Sequence, residues 1–497
     1  MPMSAFSGYY FTSLPYSPEW RSLRVESMTK NTSLTLIQAL LLLIFSLFSL
    51  FVSAQTVDLI ITADHIVTMD ENNTVLKDAA IAIDDGIIVA IDSKKSIEKT
   101  YTARQQIAGT NRVLMPGLVN GHTHAAMTLF RGIADDLPLM EWLTKHIFPA
   151  EIRFVDPEFV RIGTQLACLE MIKGGTTTFV DMYFHPKETA RVVDECGVRA
   201  IVSAAVIEQK SGYALNFDDA MHKAESFISQ WKNKNSRITP AIAAHSAYTI
   251  TPGNLQIIRK RANMLGVPVA IHLSESKAEL EIVNNLYNDT SINHLEKIDF
   301  FSGPTIGAHV VWPTESEISI LVKRQVGAIH NPTSNMKIAS GFAPVPEMLD
   351  AGVHVGLGTD GAASNNDLDM WEEIRLAALI HKGRLLDPKV MPAARVLSIA
   401  TSGGARAIGL GENIGALTVG RRADIIQISL DATHLVPLYD VVSHLVYAVD
   451  AQDVQTVIVD GQVLMLDRKV LTLDEDKVIE KARAMGARIN AEIRSGK

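Results

Sequence analysis

His122 and His124 stand one residue apart at the end of the stretch Pro116-Gly-Leu-Val-Asn-Gly-His122-Thr-His124. In an extended strand, side chains two residues apart point to the same side. Both imidazoles can then aim at one point just past the strand end, which is what chelation of a metal ion needs. Such a pair alone is weak evidence, since two polar residues in a surface loop read the same way. Further polar residues share the placement, however. His245, His272, His309 and His330 each fall at or near the end of an apolar run, and Asp360 follows another in Gly358-Thr-Asp360-Gly361. Three imidazoles and a carboxylate, from His122, His124, His272 and Asp360, suit one divalent ion, Zn²⁺ first, with a position left for water. Fe²⁺ and Mn²⁺ accept similar donors. Water on such an ion ionises near neutral pH, with a pKa of about 7, and becomes a nucleophile.

These side chains need a scaffold that brings distant strand ends together. Between residues 113 and 358 the sequence alternates apolar strands with helices. The expected strands are 113–119, 176–181, 199–206, 239–245, 267–272, 305–311, 326–330 and 353–358. Helix end signals separate them: Asp156-Pro157 opens one helix and Gly174 closes it, Thr251-Pro252 opens another and Gly266 closes it, and Thr314 with Glu317 forms a capping box. Eight strands alternating with helices over about 250 residues predict an α/β fold, a (β/α)₈ TIM-type barrel over 113–415, whose C-terminal rim gathers the site. Short strands at both ends, 57–112 and 416–470, are expected to pair into a small β-sandwich domain, with Asp84-Asp85-Gly86 turning one hairpin. Residues 471–497 read as a closing charged helix.

With 47% hydrophobic and 20% charged residues in 497, the composition is that of an ordinary globular protein. The net charge of −9 and the lack of a Lys/Arg cluster argue against a nucleic-acid partner. Cys168 and Cys196, the two cysteines, are too few for a disulfide framework and lack metal-site spacing. Residues 34–54 are almost uncharged and rich in Leu and Phe, preceded by Arg21, Arg24 and Lys30 and followed by Gln55. That layout predicts a signal peptide over 28–54, hence export, or an uncleaved anchor touching a membrane through 34–54. A cytoplasmic enzyme is the alternative. A homo-oligomer is expected.

Beyond the chelating set, Asp360 can take a proton from the water. Glu275, three residues past His272, can protonate a ring nitrogen as water attacks the adjacent carbon; zinc deaminases of another fold pair metal and glutamate in this way. His309 is placed to hydrogen-bond the attacking water or the tetrahedral centre, or else to bind the metal directly.

Over roughly 57–470 the sequence resembles the amidohydrolase superfamily, through PGLVNGHTH (116–124), His272-Leu-Ser-Glu275, His309 and GTDGAASNN (358–366). Within it, the chain is most similar to the methylthioadenosine/S-adenosylhomocysteine deaminases of the chlorohydrolase–deaminase branch. That similarity rests on DDLPLMEWL (135–143), Ile147-Phe-Pro-Ala-Glu151, Thr177-Thr-Phe-Val-Asp-Met-Tyr183 and HNPTSNMKIASG (330–341). A lysine ending the fourth strand, which once carbamylated would bridge a second metal, is replaced by His245, so one ion is expected. The resemblance implies that Glu151 holds two ribose hydroxyls, that Trp142 packs near the sugar or its sulfur substituent, and that His245 contacts the nucleoside. His185 reads as a rim contact, and Ser364 and Asn365 as contacts to the base edge. The implied reaction is hydrolytic deamination at C6 of 5'-methylthioadenosine, S-adenosylhomocysteine or adenosine, giving the inosine analogue and ammonia. Guanine, a pterin, an amino- or chloro-triazine, or an amide is the alternative substrate on the same metal, and a non-catalytic scaffold is a third reading. Relatives that bind the amino-acid tail use arginines, one after the third strand, where this chain has Lys210 and no arginine.

Overall fold

The computed structural model describes residues 55–495. The signal-like stretch expected over 28–54 lies outside the described residues, as do the last two positions of the expected C-terminal helix. No described helix is long and apolar enough to cross a membrane.

The described chain opens with β1 (Gln55–Val67), β2 (Val75–Asp84), β3 (Ile87–Ser93), β4 (Tyr101–Ile107) and β5 (Arg112–Pro116). Eight strands follow: β6 (Leu118–Thr123), β7 (Thr176–Tyr183), β8 (Arg199–Val206), β9 (Ile238–Ser246), β10 (Val269–Leu273), β11 (Thr305–His309), β12 (Gly327–His330) and β13 (Val355–Leu357). They lie side by side in sequence order, parallel and separated by helices. The seam between β13 and β6 is closed by Asp360 N–H donating to His122 O at 3.0 Å, and by Asn120, whose amide pairs with the backbone N–H and hydroxyl of Thr359. The expected barrel is therefore present. Val119, Val180, Met182, Ile201, Ala243 and Ile329 pack inside it, and the alternate residues of each strand face the helices.

The last strands, β14 (Ile425–Ser429), β15 (Val454–Val459), β16 (Gln462–Leu466) and β17 (Lys469–Val470), return to the first ones. β14 pairs antiparallel with β5, Ile426 opposite Met115, so both ends of the described chain share one sheet, ordered β17-β16-β15-β14-β5-β1-β2-β3 with β4 on β1. This sheet is tied to the barrel by a buried bidentate pair, in which Arg199 of β8 holds both carboxylate oxygens of Asp424 at 2.7 and 3.0 Å. Removing Arg199 would strand the buried Asp424 carboxylate, at a cost of about 3–5 kcal/mol. The chain closes with the helix Glu475–Arg494, which buries Val478, Met485 and Ile489 and is bound at its start by Lys173 to Glu475 at 2.6 Å.

Two expectations are corrected. The apolar run 113–119 is not one strand but two. It breaks at Gly117, where a Cβ would lie 2.1 Å from the Thr177 side chain, so only glycine lets the chain cross from the end sheet into the barrel there. Both halves are buried, which hid the break from the hydrophobic pattern. As a result His122 sits inside β6 and His124 just beyond it. The helix Lys94–Thr100 and β4 were also missed, because Ile97 is the sole buried residue of that helix and β4 is mostly exposed.

Candidate active site

A cavity of about 400 Å³ opens at the C-terminal ends of the barrel strands. His124, His245, His272, Glu275, His309 and Asp360 line it, together with Glu151, Trp142 and Ser364. The barrel explains this convergence, since β6, β9, β10, β11 and β13 each deliver one or two of these residues at the same rim. The donor atoms of His122, His124 and His272 all lie within 4.8 Å of one another, as do those of His122, His309 and Asp360.

The hydrogen bonds around these rings fix their tautomers. His124 Nδ1–H donates to Met182 O at 2.6 Å, and His272 Nδ1–H donates to His245 O at 2.8 Å. Each ring therefore turns an unprotonated Nε2 inward, yet these two nitrogens stand 3.3 Å apart. Two lone pairs at that distance repel unless a cation lies between them. The buried Nε2 of His122 has no hydrogen-bond partner and sits 3.3 Å from Asp360 Oδ1, with His124 Nε2 at 3.4 Å from the same oxygen. Burial pushes the His122 pKa down to about 4 and lowers those of His124 and His272, so all three rings are neutral. Neutral imidazoles braced through backbone carbonyls, facing one carboxylate, are the donor set of a divalent metal, and the residues fit it.

Asp360 is oriented as tightly. Its Oδ2 accepts from Ser334 Oγ at 2.7 Å and Ser364 Oγ at 2.8 Å, and its Oδ1 accepts from Gly361 N–H at 2.7 Å. Its backbone is left-handed, with φ 64°, as is that of Ser274 before Glu275, of His309 at the end of β11 and of Val310 after it. Strain of this kind gathers where side chains must be aimed. Burial raises the Glu275 carboxyl to about 7, and its Oε1 faces His309 Nε2 across 3.9 Å. Burial presses the His309 pKa down, but Glu275 and Asp360 outweigh it and the net shift is upward. The Nδ1–H of His309 donates to Asn335 Oδ1 at 2.9 Å.

Elsewhere in the cavity, Glu151 projects from the short helix Phe148–Phe154. Burial raises its carboxyl to about 8, against a smaller opposing pull from the Tyr183 hydroxyl. Trp142 stands on the adjoining π-helical turn, its indole N–H donating to Ala134 O at 3.2 Å.

Comparison with known proteins places this barrel. The model of the amidohydrolase family matches residues 113–464. A 5-methylthioadenosine/S-adenosylhomocysteine deaminase of Syntrophobacter fumaroxidans is 43% identical over 86% of this chain and 97% of its own length. A 5'-deoxyadenosine deaminase of Methanosarcina acetivorans is 45% identical, covering 87% of this chain and all of its own. Among solved structures, an adenosine deaminase from Xanthomonas campestris with bound zinc superposes with a TM-score of 0.86 at 37% identity, over 88% of this chain and all of that one. The chain belongs to the amidohydrolase family.

Not every residue expected in this amidohydrolase site is there. His185 does not line the cavity; it precedes the helix Pro186–Cys196, with its ring edge-on to Tyr213 at 5.0 Å, one layer behind the wall. His330 ends β12 but does not line the cavity; its ring is tilted against that of His381, the centroids 5.4 Å apart. Asn365 also points away, donating to Thr359 O and Glu373. Ser364 reaches the cavity, but its hydroxyl proton goes to Asp360. Asn335 and Ser334, which fix His309 and Asp360, were not singled out from the sequence. Both lie in the HNPTSN segment, where two polar side chains just past a strand end were the available signal.

Proposed function

We propose that this amidohydrolase is a metal-dependent deaminase of adenosine-type nucleosides, releasing ammonia and the inosine analogue. The observation that carries the reading is that Glu151, a buried carboxyl with no basic partner, lines the same cavity as the three-histidine, one-carboxylate cluster and Glu275. A ribose supplies what Glu151 lacks, because two adjacent hydroxyls match its two oxygens. The names of the relatives point the same way.

His122, His124, His272 and Asp360 would hold one divalent ion, Zn²⁺ first among the metals that suit such donors. Bound there, the ion would supply Lewis-acid chemistry and ionise water near neutral pH. The chain's own groups manage the protons. Asp360 takes a proton from the water through Oδ1, the oxygen that faces the histidine cluster, while Oδ2 is held by two serine hydroxyls. Glu275, held as an acid near neutrality by burial, gives its proton to the ring nitrogen beside C6 as the carbon gains oxygen. His309 Nε2 faces the same space and can hydrogen-bond that oxygen. Collapse of the tetrahedral carbon expels the amine as ammonia with the proton that Asp360 holds, while the hydroxyl on C6 becomes a carbonyl by returning its proton to Glu275. Trp142 and His245 pack and contact the nucleoside.

The test is to offer the metal-loaded protein adenosine, 5'-methylthioadenosine, S-adenosylhomocysteine, guanine, a pterin and an amino-triazine while following ammonia. Inosine-type products support the reading. Turnover of the bases or the triazine with none of the nucleosides overturns it in favour of a ribose-free cyclic substrate.

A further inference from the structure

We propose that Glu279 is a positioning residue for Glu275, fixing the turn that aims it into the cavity. This rests on the proton role given to Glu275 above. From the end of β10 the chain runs His272-Leu-Ser-Glu275-Ser-Lys-Ala-Glu279 into the helix Lys277–Tyr287. It has two residues in which to leave the strand and present Glu275, and it does so with Ser274 left-handed at φ 49°. A serine does not hold that conformation unaided.

Glu279 supplies the restraint. Glu279 is 2% exposed, and its carboxylate receives three donors: Ser274 N–H at 2.9 Å and Ser291 Oγ at 2.6 Å on one oxygen, Glu275 N–H at 2.7 Å on the other. Two consecutive peptide groups of the turn are thus clamped by one side chain. The clamp is itself anchored, because Ser276 Oγ accepts from the Glu279 N–H at 3.2 Å and the carboxylate lies in the first turn of the helix, where negative charge is favoured.

The turn is gripped from its other side too. Ser274 O accepts from Val311 N–H at 3.0 Å and Trp312 N–H at 3.1 Å, in the loop that follows His309 (φ 75°) and Val310 (φ 46°). Two left-handed segments, one presenting Glu275 and one presenting His309, are stitched together through Ser274. Freed from Glu279, the Glu275 peptide can rotate, and the 3.9 Å separation from His309 is no longer set. Glu279 does not line the cavity, so it acts through Glu275 and not on the substrate.

The experiment compares Glu279→Gln, Ser291→Ala and Glu275→Gln in the metal-loaded full chain, measuring kcat, KM, metal content and Tm. Glutamine keeps the size but places an NH₂ against one set of donors. Glu279→Gln is expected to lower kcat by about 100-fold, as misplacement of a reacting group does. KM should stay within about threefold and metal content unchanged, the signature of an interaction used only in the transition state. Unchanged kcat overturns the proposal, and so does a loss that merely follows metal, Tm or KM. If Glu279→Gln does not fold, Ser291→Ala decides: it removes one donor to the clamp, and a smaller fall in kcat at constant KM supports the role while no change overturns it. Glu275→Gln separates the two ideas. Near-normal turnover in that variant defeats the proton role itself, whereas loss there with none in the clamp variants defeats only Glu279.

Discussion

Glu275 Oε1 and His309 Nε2 face each other across 3.9 Å, both buried and each delivered by a different barrel strand through a left-handed turn. Neither side chain is committed to another side-chain partner on the atom it turns inward, so both are available to a ligand. Glu275→Gln preserves the shape and removes the transferable proton. It is expected to keep its metal and lose about 10²–10⁴-fold in kcat, the range that general acid–base catalysis contributes. Ammonia release and metal analysis on the same sample check this, and near-normal turnover would remove Glu275 from the proton path.

The 3.3 Å approach of His124 Nε2 to His272 Nε2 makes metal removal a matter of stability as well as rate. Chelation should abolish turnover, and Zn²⁺ should restore it. Because the folded donors repel one another without a cation, metal should also raise Tm, with about 2.7 kcal/mol of added stability at a hundredfold excess over Kd. His122→Ala should lose metal and rate together, since it removes a donor whose inward nitrogen has no other partner. Full activity after thorough chelation would sink the metal assignment.

The barrel and the convergence of these polar residues at its rim were legible because the evidence for them is periodic and chemical. Apolar runs buried on both faces read as strands, and His122, His124, His272 and Asp360 are residue types that an apolar strand end rarely carries without reason. What stayed hidden depends on side-chain direction. His185, His330 and Asn365 fall at or just past strand ends as His245 and Ser364 do, yet they do not line the cavity, and the hydrophobic pattern does not say which way a side chain faces. The split at Gly117 was hidden for a related reason, since the contact that requires glycine is with Thr177, sixty residues away in sequence. Ser364 shows a third limit: its position was right, but its hydroxyl is spent on Asp360.

Glu151 gives the substrate-free enzyme a pH signature. Burial raises its carboxyl from the usual 4.5 to about 8. Between these values the folded protein keeps a proton that the unfolded chain has released, so stability falls as pH rises through that window. The contribution is whole below the unfolded pKa and gone above the folded one. Glu151→Gln removes the dependence, and its Tm should exceed that of the wild type most at about pH 9 and least at about pH 5. Thermal melts of the metal-loaded protein without nucleoside measure it, and parallel melting curves at all pH values would show that Glu151 is not held protonated.

The walls of the cavity also predict which nucleoside is preferred. Leu139, Met140, Leu143, Ile147 and Phe148 form an apolar lining beside Trp142, and among the described residues Lys210 is the one cation lining the cavity. A methylthio group buries well against such a wall, at about 0.8 kcal/mol per methylene equivalent. A homocysteine tail brings an ammonium and a carboxylate. Its carboxylate would meet a single exposed, flexible lysine, and an exposed ion pair of that kind contributes about 1 kcal/mol at most. The expected order is therefore a higher kcat/KM for 5'-methylthioadenosine than for S-adenosylhomocysteine. Lys210→Met should lower the second by about fivefold at most and leave the first unchanged. Steady-state kinetics on both nucleosides checks this. A strong preference for S-adenosylhomocysteine, lost in Lys210→Met, would mean that this one lysine recognises the tail carboxylate.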